Sequence, residues 1–127
     1  MFDIATVLVL HEKVLLQYGG ASGTRDAGLL DAALNRPFQT FGGEYLYPDL
    51  YHKAAAVIES VILNHPFIDG NKRTGFLLCA SFLLDHNIFL TASEDERYDF
   101  VINISTGSLS FEEIVNWLQQ NTSIKEN

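Results

Sequence analysis

Apolar residues recur three or four positions apart along most of this chain, and that spacing predicts helices. Ile4, Val7, Leu8, His11, Val14, Leu15 and Tyr18 share one stripe, so a first helix is expected over residues 3 to 18, ended by the Gly19-Gly20 pair. Ala27, Leu30, Ala33 and Leu34 form the face of a second, capped by Thr24 or Asp26 and closed before Pro37. Leu50, Ala54, Val57, Ile58, Val61 and Ile62 predict a third over residues 50 to 64, which stops because Pro66 disfavours helical geometry at His65. Phe76 to Leu84 is apolar apart from Ser81, the mark of a helix surrounded by others at the centre of the domain. Asp85-His86-Asn87 should end it, with Asn87 as a left-handed stop, and Ile88 to Leu90 reads as a short apolar link. Two capping boxes, Ser93 with Glu96 and Ser110 with Glu113, open the last two helices. The first of these carries Tyr98, Val101 and Ile102, and the second should dock Phe111, Ile114, Val115, Trp117 and Leu118 on the core.

Residues 38 to 48 change character, with aromatic and β-branched residues around Gly42-Gly43, and read either as a hairpin or as an irregular connector covering the core. The fold class is therefore all-α, a compact bundle of about six helices around a central buried one. At 127 residues the chain forms one domain, residues 1 to 127. With 16 acidic and 8 basic residues its formal charge is −8, which argues against a broad electrostatic grip on nucleic acid. Cys79, the single cysteine, lies in the apolar helix and reads as a small core residue that fits a reducing cytoplasm. No signal peptide is expected, and no apolar run reaches the roughly 18 residues that a membrane span needs.

The candidate chemistry is concentrated in residues 65 to 75, His-Pro-Phe-Ile-Asp-Gly-Asn-Lys-Arg-Thr-Gly, between two apolar helices. The first turn of a helix exposes backbone N–H groups and the positive end of the dipole, so anions bind there. Gly70 lets ligand oxygens approach the backbone, and Asn71 can cap the helix or hold the loop. Lys72 and Arg73 add positive charge at the end where a helix built for stability alone would carry Asp or Glu, and an anionic ligand explains them. His65 can take a proton from a hydroxyl, and Asp69 beside a phosphate site is a natural ligand for Mg2+. Phe67 and Ile68 should point into the core and pin the loop. The grouping reads as a phosphoryl or nucleotidyl transfer site: anion cradle, metal carboxylate and general base. The loop 19 to 25 is glycine-rich but lacks the strand context and the Lys-Ser/Thr pair of a P-loop, so it reads as a turn. His11, on the apolar stripe, reads as a hydrogen-bonded core residue.

His65-Pro-Phe-Ile-Asp-Gly-Asn-Lys-Arg73 resembles the Fic/Doc superfamily signature, His-x-Phe-x-(Asp/Glu)-Gly-Asn-x-Arg, and Tyr18 to Leu34 is similar to the N-terminal block of the Doc (death-on-curing) branch. Lys72 points to that branch, since AMP-transferring Fic enzymes usually have glycine there. The resemblance implies an ATP-dependent kinase toxin with a cognate antitoxin, acting on a threonine of elongation factor Tu to block translation. His65 would be its base, Asp69 its Mg2+ ligand, and Gly70, Asn71, Lys72 and Arg73 its phosphate ligands. It further implies that the 19 to 25 loop lies near the active site, and that residues 38 to 48 form a flap there which holds the target by strand addition.

The alternatives are an AMP transferase of the Fic type, in which ATP binds the other way round, and an inactive binding member of the family. A zinc hydrolase fits less well, because one histidine and one carboxylate fall short of three protein ligands. The tail from Thr122 to Asn127 fits the loose pattern by which some Fic proteins block their own ATP site, here with Glu126 engaging Arg73. Doc-type proteins typically rely on a separate antitoxin.

Overall fold

The computed structural model describes residues 1–126. Six helices make up the bundle: α1 (Ile4–Tyr18), α2 (Ala27–Asn35), α3 (Leu50–Asn64), α4 (Asn71–Leu84), α5 (Glu94–Ser105) and α6 (Phe111–Gln120). A tight helical turn, Arg36–Phe38, extends α2. Two short antiparallel pairs complete the fold: β1 (Thr40–Phe41) with β2 (Glu44–Tyr45), and β3 (Ile88–Leu90) with β4 (Thr122–Ile124).

The spacing of small and branched residues places α3 at the centre. Ala54 to Ile58, Val61 and Ile62 are fully buried, and α2, α4, α5 and α6 all pack against this helix. The expectation had given that place to the Phe76–Leu84 segment. Its helix α4 does pack closely on α3, and Gly75 permits this: a Cβ there would stand 3.1 Å from Ile62 and 3.3 Å from Val61. But Leu84 is exposed and Phe76 and Leu77 only half-buried, so one side of α4 stays open. Cys79 is buried, which pushes its thiol up to about 12 and leaves it inert as a nucleophile. On α5 the core face is Phe100 and Ile104, whereas Tyr98 is exposed. Trp117 of α6 stacks on Phe100 with ring centroids 3.7 Å apart.

Five of the six helices start at a side-chain cap: Asp3, Asp26, Asp49, Ser93 and Ser110 accept from N–H groups of their first turns. Both capping boxes form as the sequence implies. The Ser93 and Ser110 bonds hold the Glu96 and Glu113 carboxyls below their ordinary pKa of 4.5, and bonds from Thr6 lower Asp3. Burial pushes Asp49 up, but bonds from the His52 backbone and ring outweigh it, and Asp49 too lies below 3.8. Depressed folded values mean that the unfolded chain binds these protons more tightly. Their contribution to stability is thus complete above the ordinary carboxyl range and is lost as pH falls through the folded values. Denaturant midpoints should therefore hold from pH 7 to about 5 and fall below about 4.5. A Ser93→Ala, Ser110→Ala double variant should show a shallower acid limb, and an unchanged limb would refute the assignment.

The hairpin reading of residues 38 to 48 is the one that forms, with Gly42-Gly43 at its tip. Its base is rooted at the N-terminal end of α3: Lys53 Nζ donates to the Tyr47 carbonyl and lies 4.0 Å from the Tyr45 ring centroid, while Arg36 Nε donates to the Tyr47 hydroxyl at 2.8 Å. His65 lies beyond the other end of α3, a 15-residue helix about 22 Å long. The segment hydrogen-bonded to the motif is instead the glycine-rich loop 19 to 25.

The tail does not fold toward the motif either. Strand β4 pairs with β3 in the register Ile88↔Ile124, and Lys125 N–H donates to the Asn87 carbonyl at 2.7 Å. Glu126 therefore sits near the C-terminal end of α4, which lies roughly 17 Å along that helix from Arg73. Asn127, the last residue of the self-blocking pattern, lies outside the described residues. Asn87 has the left-handed geometry expected of it, with φ 63°.

Candidate active site

The motif loop is built from the core outward. Phe67 is fully buried, its ring stacked on His11 with centroids 3.8 Å apart. Asn71 clasps the Phe67 backbone from both sides: its Oδ1 accepts from Phe67 N–H at 2.9 Å and its Nδ2 donates to the Phe67 carbonyl at 3.0 Å. The Asn71 side chain thus holds the loop, one of the two roles left open above. His11, buried as expected, donates from Nε2 to the Asp69 carbonyl at 2.8 Å, which fixes its tautomer. Ile68 is the exception to expectation. Its N–H pairs with the Gly23 carbonyl, but its side chain is exposed and lies over Gly23.

The loop 19 to 25 lies antiparallel to the motif, with Thr24 opposite Phe67. Ala21 N–H donates to Asp69 Oδ2 at 2.7 Å, leaving Oδ1 of that exposed carboxylate without a protein partner among the described residues. Gly20 makes the approach possible, since a Cβ there would stand 3.1 Å from Asp69 Cβ on a backbone with φ 122°. His65 is exposed, and its ring has no hydrogen-bond partner among the described residues. Its backbone is left-handed, φ 49° and ψ 59°, which costs a residue other than glycine about 1–2 kcal/mol. Such a conformation persists only where the surroundings over-determine it.

Helix α4 differs from the other five. Its N-cap is Gly70, φ 80°, which offers no side chain to its first turn. The N–H groups of residues 71, 72 and 73 find no acceptor among the described residues. A Cβ at Gly70 would stand 3.3 Å from a Leu15 methyl on a backbone with φ 80°, so a side chain at the cap would be both tight and strained. Lys72 and Arg73 are exposed and have no acidic partner within ion-pair distance among the described residues. The Arg73 guanidinium lies 3.5 Å from the Tyr18 ring centroid.

These groups converge. A cleft of about 510 Å³ is lined by Tyr18, Gly19, Gly20, His65, Asp69 and residues 70 to 73, within the roughly 300–1,000 Å³ typical of small-molecule sites. A wider groove of about 700 Å³ continues from it between α4 and α5, sharing Tyr18, Lys72 and Arg73, but it contains neither His65 nor Asp69. The smaller cleft brings together an exposed imidazole, a carboxylate oxygen without a protein partner among the described residues, and uncapped N–H groups beside two cations, a set able to move a proton, meet a cation and hold an anion. All six sequence-predicted site residues, His65, Asp69, Gly70, Asn71, Lys72 and Arg73, line it, although Asn71 does so with its amide already engaged. Sequence reasoning missed individual roles for Tyr18 and Arg25. Only the Tyr18 to Leu34 block hinted that this region matters.

The chain belongs to the Fic/DOC family, whose model matches residues 1–83 and so includes the entire motif. It is 42% identical over 89 residues to Toxin Doc of Mycolicibacterium smegmatis, a match that covers 69% of this chain and 68% of that protein.

Proposed function

We propose that this chain is the toxin of a toxin–antitoxin pair, a cytoplasmic Doc-type kinase that moves the γ-phosphoryl group of ATP to a threonine of elongation factor Tu and so stops translation. The observation that carries the reading is α4: alone among the six helices it starts without a side-chain cap, and it adds Lys72 and Arg73 where caps and acids stabilise its neighbours. Similarity to Toxin Doc supports the toxin role and, with it, a cognate antitoxin as partner.

In this mechanism the N–H groups of residues 71 to 73, with Lys72 and Arg73, hold the nucleotide phosphates, and Gly70 keeps their approach clear. His65 takes the proton of the threonine hydroxyl. The freed oxygen bonds to the γ-phosphorus, the bond to the bridging oxygen breaks, and ADP leaves. Phosphoryl transfer depends mainly on positioning and charge stabilisation, which a small rigid loop can supply. Asp69 would hold Mg2+ through Oδ1. The residues fit, because Mg2+ is commonly bound by one or two carboxylates together with substrate phosphates, and Asp69 keeps Oδ1 without a protein partner among the described residues. When bound, the ion neutralises phosphate charge.

Incubation with cell extract and either γ-labelled or α-labelled ATP tests the reaction. Label on one translation factor from the γ position alone is expected. Label from the α position would select AMP transfer, and none from either, in protein free of antitoxin, would leave a binding member of the family.

A further inference from the structure

We propose that Arg25 is a positioning residue: by binding the carbonyls on both sides of the His65 Cα, it sets the backbone of His65 and thereby aims the imidazole into the cleft. This rests on the reading of His65 as the base. Arg25 Nε donates to the His65 carbonyl at 2.6 Å and its terminal Nη2 to the Asn64 carbonyl at 2.6 Å. The Asn64 carbonyl belongs to the peptide plane that defines φ of His65, and the His65 carbonyl to the plane that defines ψ. One planar fork therefore fixes both angles at once, which a flexible point charge such as lysine cannot do. The Arg25 and Asp26 N–H groups also donate to the Pro66 carbonyl, at 2.8 and 3.0 Å, so three successive carbonyls around the base are held from the same two residues.

Helix α3 has no means of its own to do this. Each of the other five helices is closed by the N–H of its following residue bonding back into the last turn. The His65 N–H makes no such bond, and Pro66 has no N–H to offer. The guanidinium takes over that role at the negative end of the α3 dipole, and among the described residues no acidic side chain competes for it. A cation capping α3 and nothing more would stabilise the helix without affecting the ring at position 65, so the two roles separate by experiment.

Arg25→Ala and Arg25→Lys are compared with the parent chain in three measurements. These are the affinity for ATP with magnesium, the kinetics of transfer to the labelled target, and the 13C shifts of His65 assigned with the help of His65→Asn. In Arg25→Ala, kcat should fall about 10²-fold with the KM for ATP changed by no more than about twofold, the pattern of a misplaced catalytic group. Guanidinium ion added to Arg25→Ala should restore part of the rate, Arg25→Lys should recover little of it, and the His65 Cα shift should leave its left-handed value in both variants. A loss of ATP affinity with kcat intact would overturn the proposal in favour of ligand contact. A lowered Tm with the His65 shift unmoved would overturn it in favour of capping alone. If the parent chain transfers nothing, the reading of the reaction has failed, and the His65 shift by itself decides whether Arg25 sets that backbone.

Discussion

His65→Ala is expected to lower phosphoryl transfer by about 10²–10⁴-fold, the span associated with loss of a general base. The fold should survive, because the ring is exposed and has no hydrogen-bond partner among the described residues, so its removal leaves no buried group unpaired. The remaining cost is the left-handed backbone, φ 49°, which alanine tolerates less well than histidine or asparagine. His65→Asn is thus the better control: it keeps the conformation, removes the base and should melt within a few degrees of the parent chain. ATP should still bind to both variants, since the N–H groups of residues 71 to 73 and the cations at 72 and 73 are untouched. Activity surviving in both variants would place the base elsewhere and dissolve the mechanism.

How far the sequence foretold this site depends on the range of the interactions involved. Helix spans were legible because burial periodicity is local: the expected stretch of residues 50 to 64 and both capping boxes match α3, α5 and α6. The motif loop was legible because its polar groups have no use in a core. What escaped was pairing across distance. Ile68 looked like a core residue because it follows Phe67, but the antiparallel pairing of Thr24 with Phe67 turns it outward. On α5, Tyr98, Val101 and Ile102 lie near one another on a face that flanks the open groove, while Phe100 and Ile104 reach the core. The tail fits a self-blocking pattern in sequence alone, because nothing local reveals that Thr122–Ile124 pairs with Ile88–Leu90. Arg25 was invisible as a positioning group for the same reason, since its acceptors lie 39 and 40 residues away.

Asn71→Ala should cost about 3 kcal/mol of stability, because it strands the Phe67 N–H and carbonyl in the interior at about 1–3 kcal/mol each. For a chain of 127 residues that corresponds to a Tm lower by roughly 10–15 °C. The effect separates the loop clasp from the phosphate-holding role that the family resemblance implies for this residue. If the amide held phosphate directly, its removal would weaken ATP binding and leave Tm in place. If it clasps the loop, Tm falls first, and ATP binding weakens only because the N–H groups of α4 lose their fixed aim. Asn71→Asp sharpens the distinction, since the carboxylate still accepts from Phe67 N–H but sets a second oxygen against the Phe67 carbonyl. It also adds negative charge where the phosphates would lie. Asn71→Asp should therefore be destabilised and lose ATP affinity together, whereas Asn71→Ala should recover much of its affinity at low temperature, where the loop is still closed. A Tm unchanged in Asn71→Ala would show that the clasp does not hold the loop, and the preorganised start of α4 would lose its structural basis.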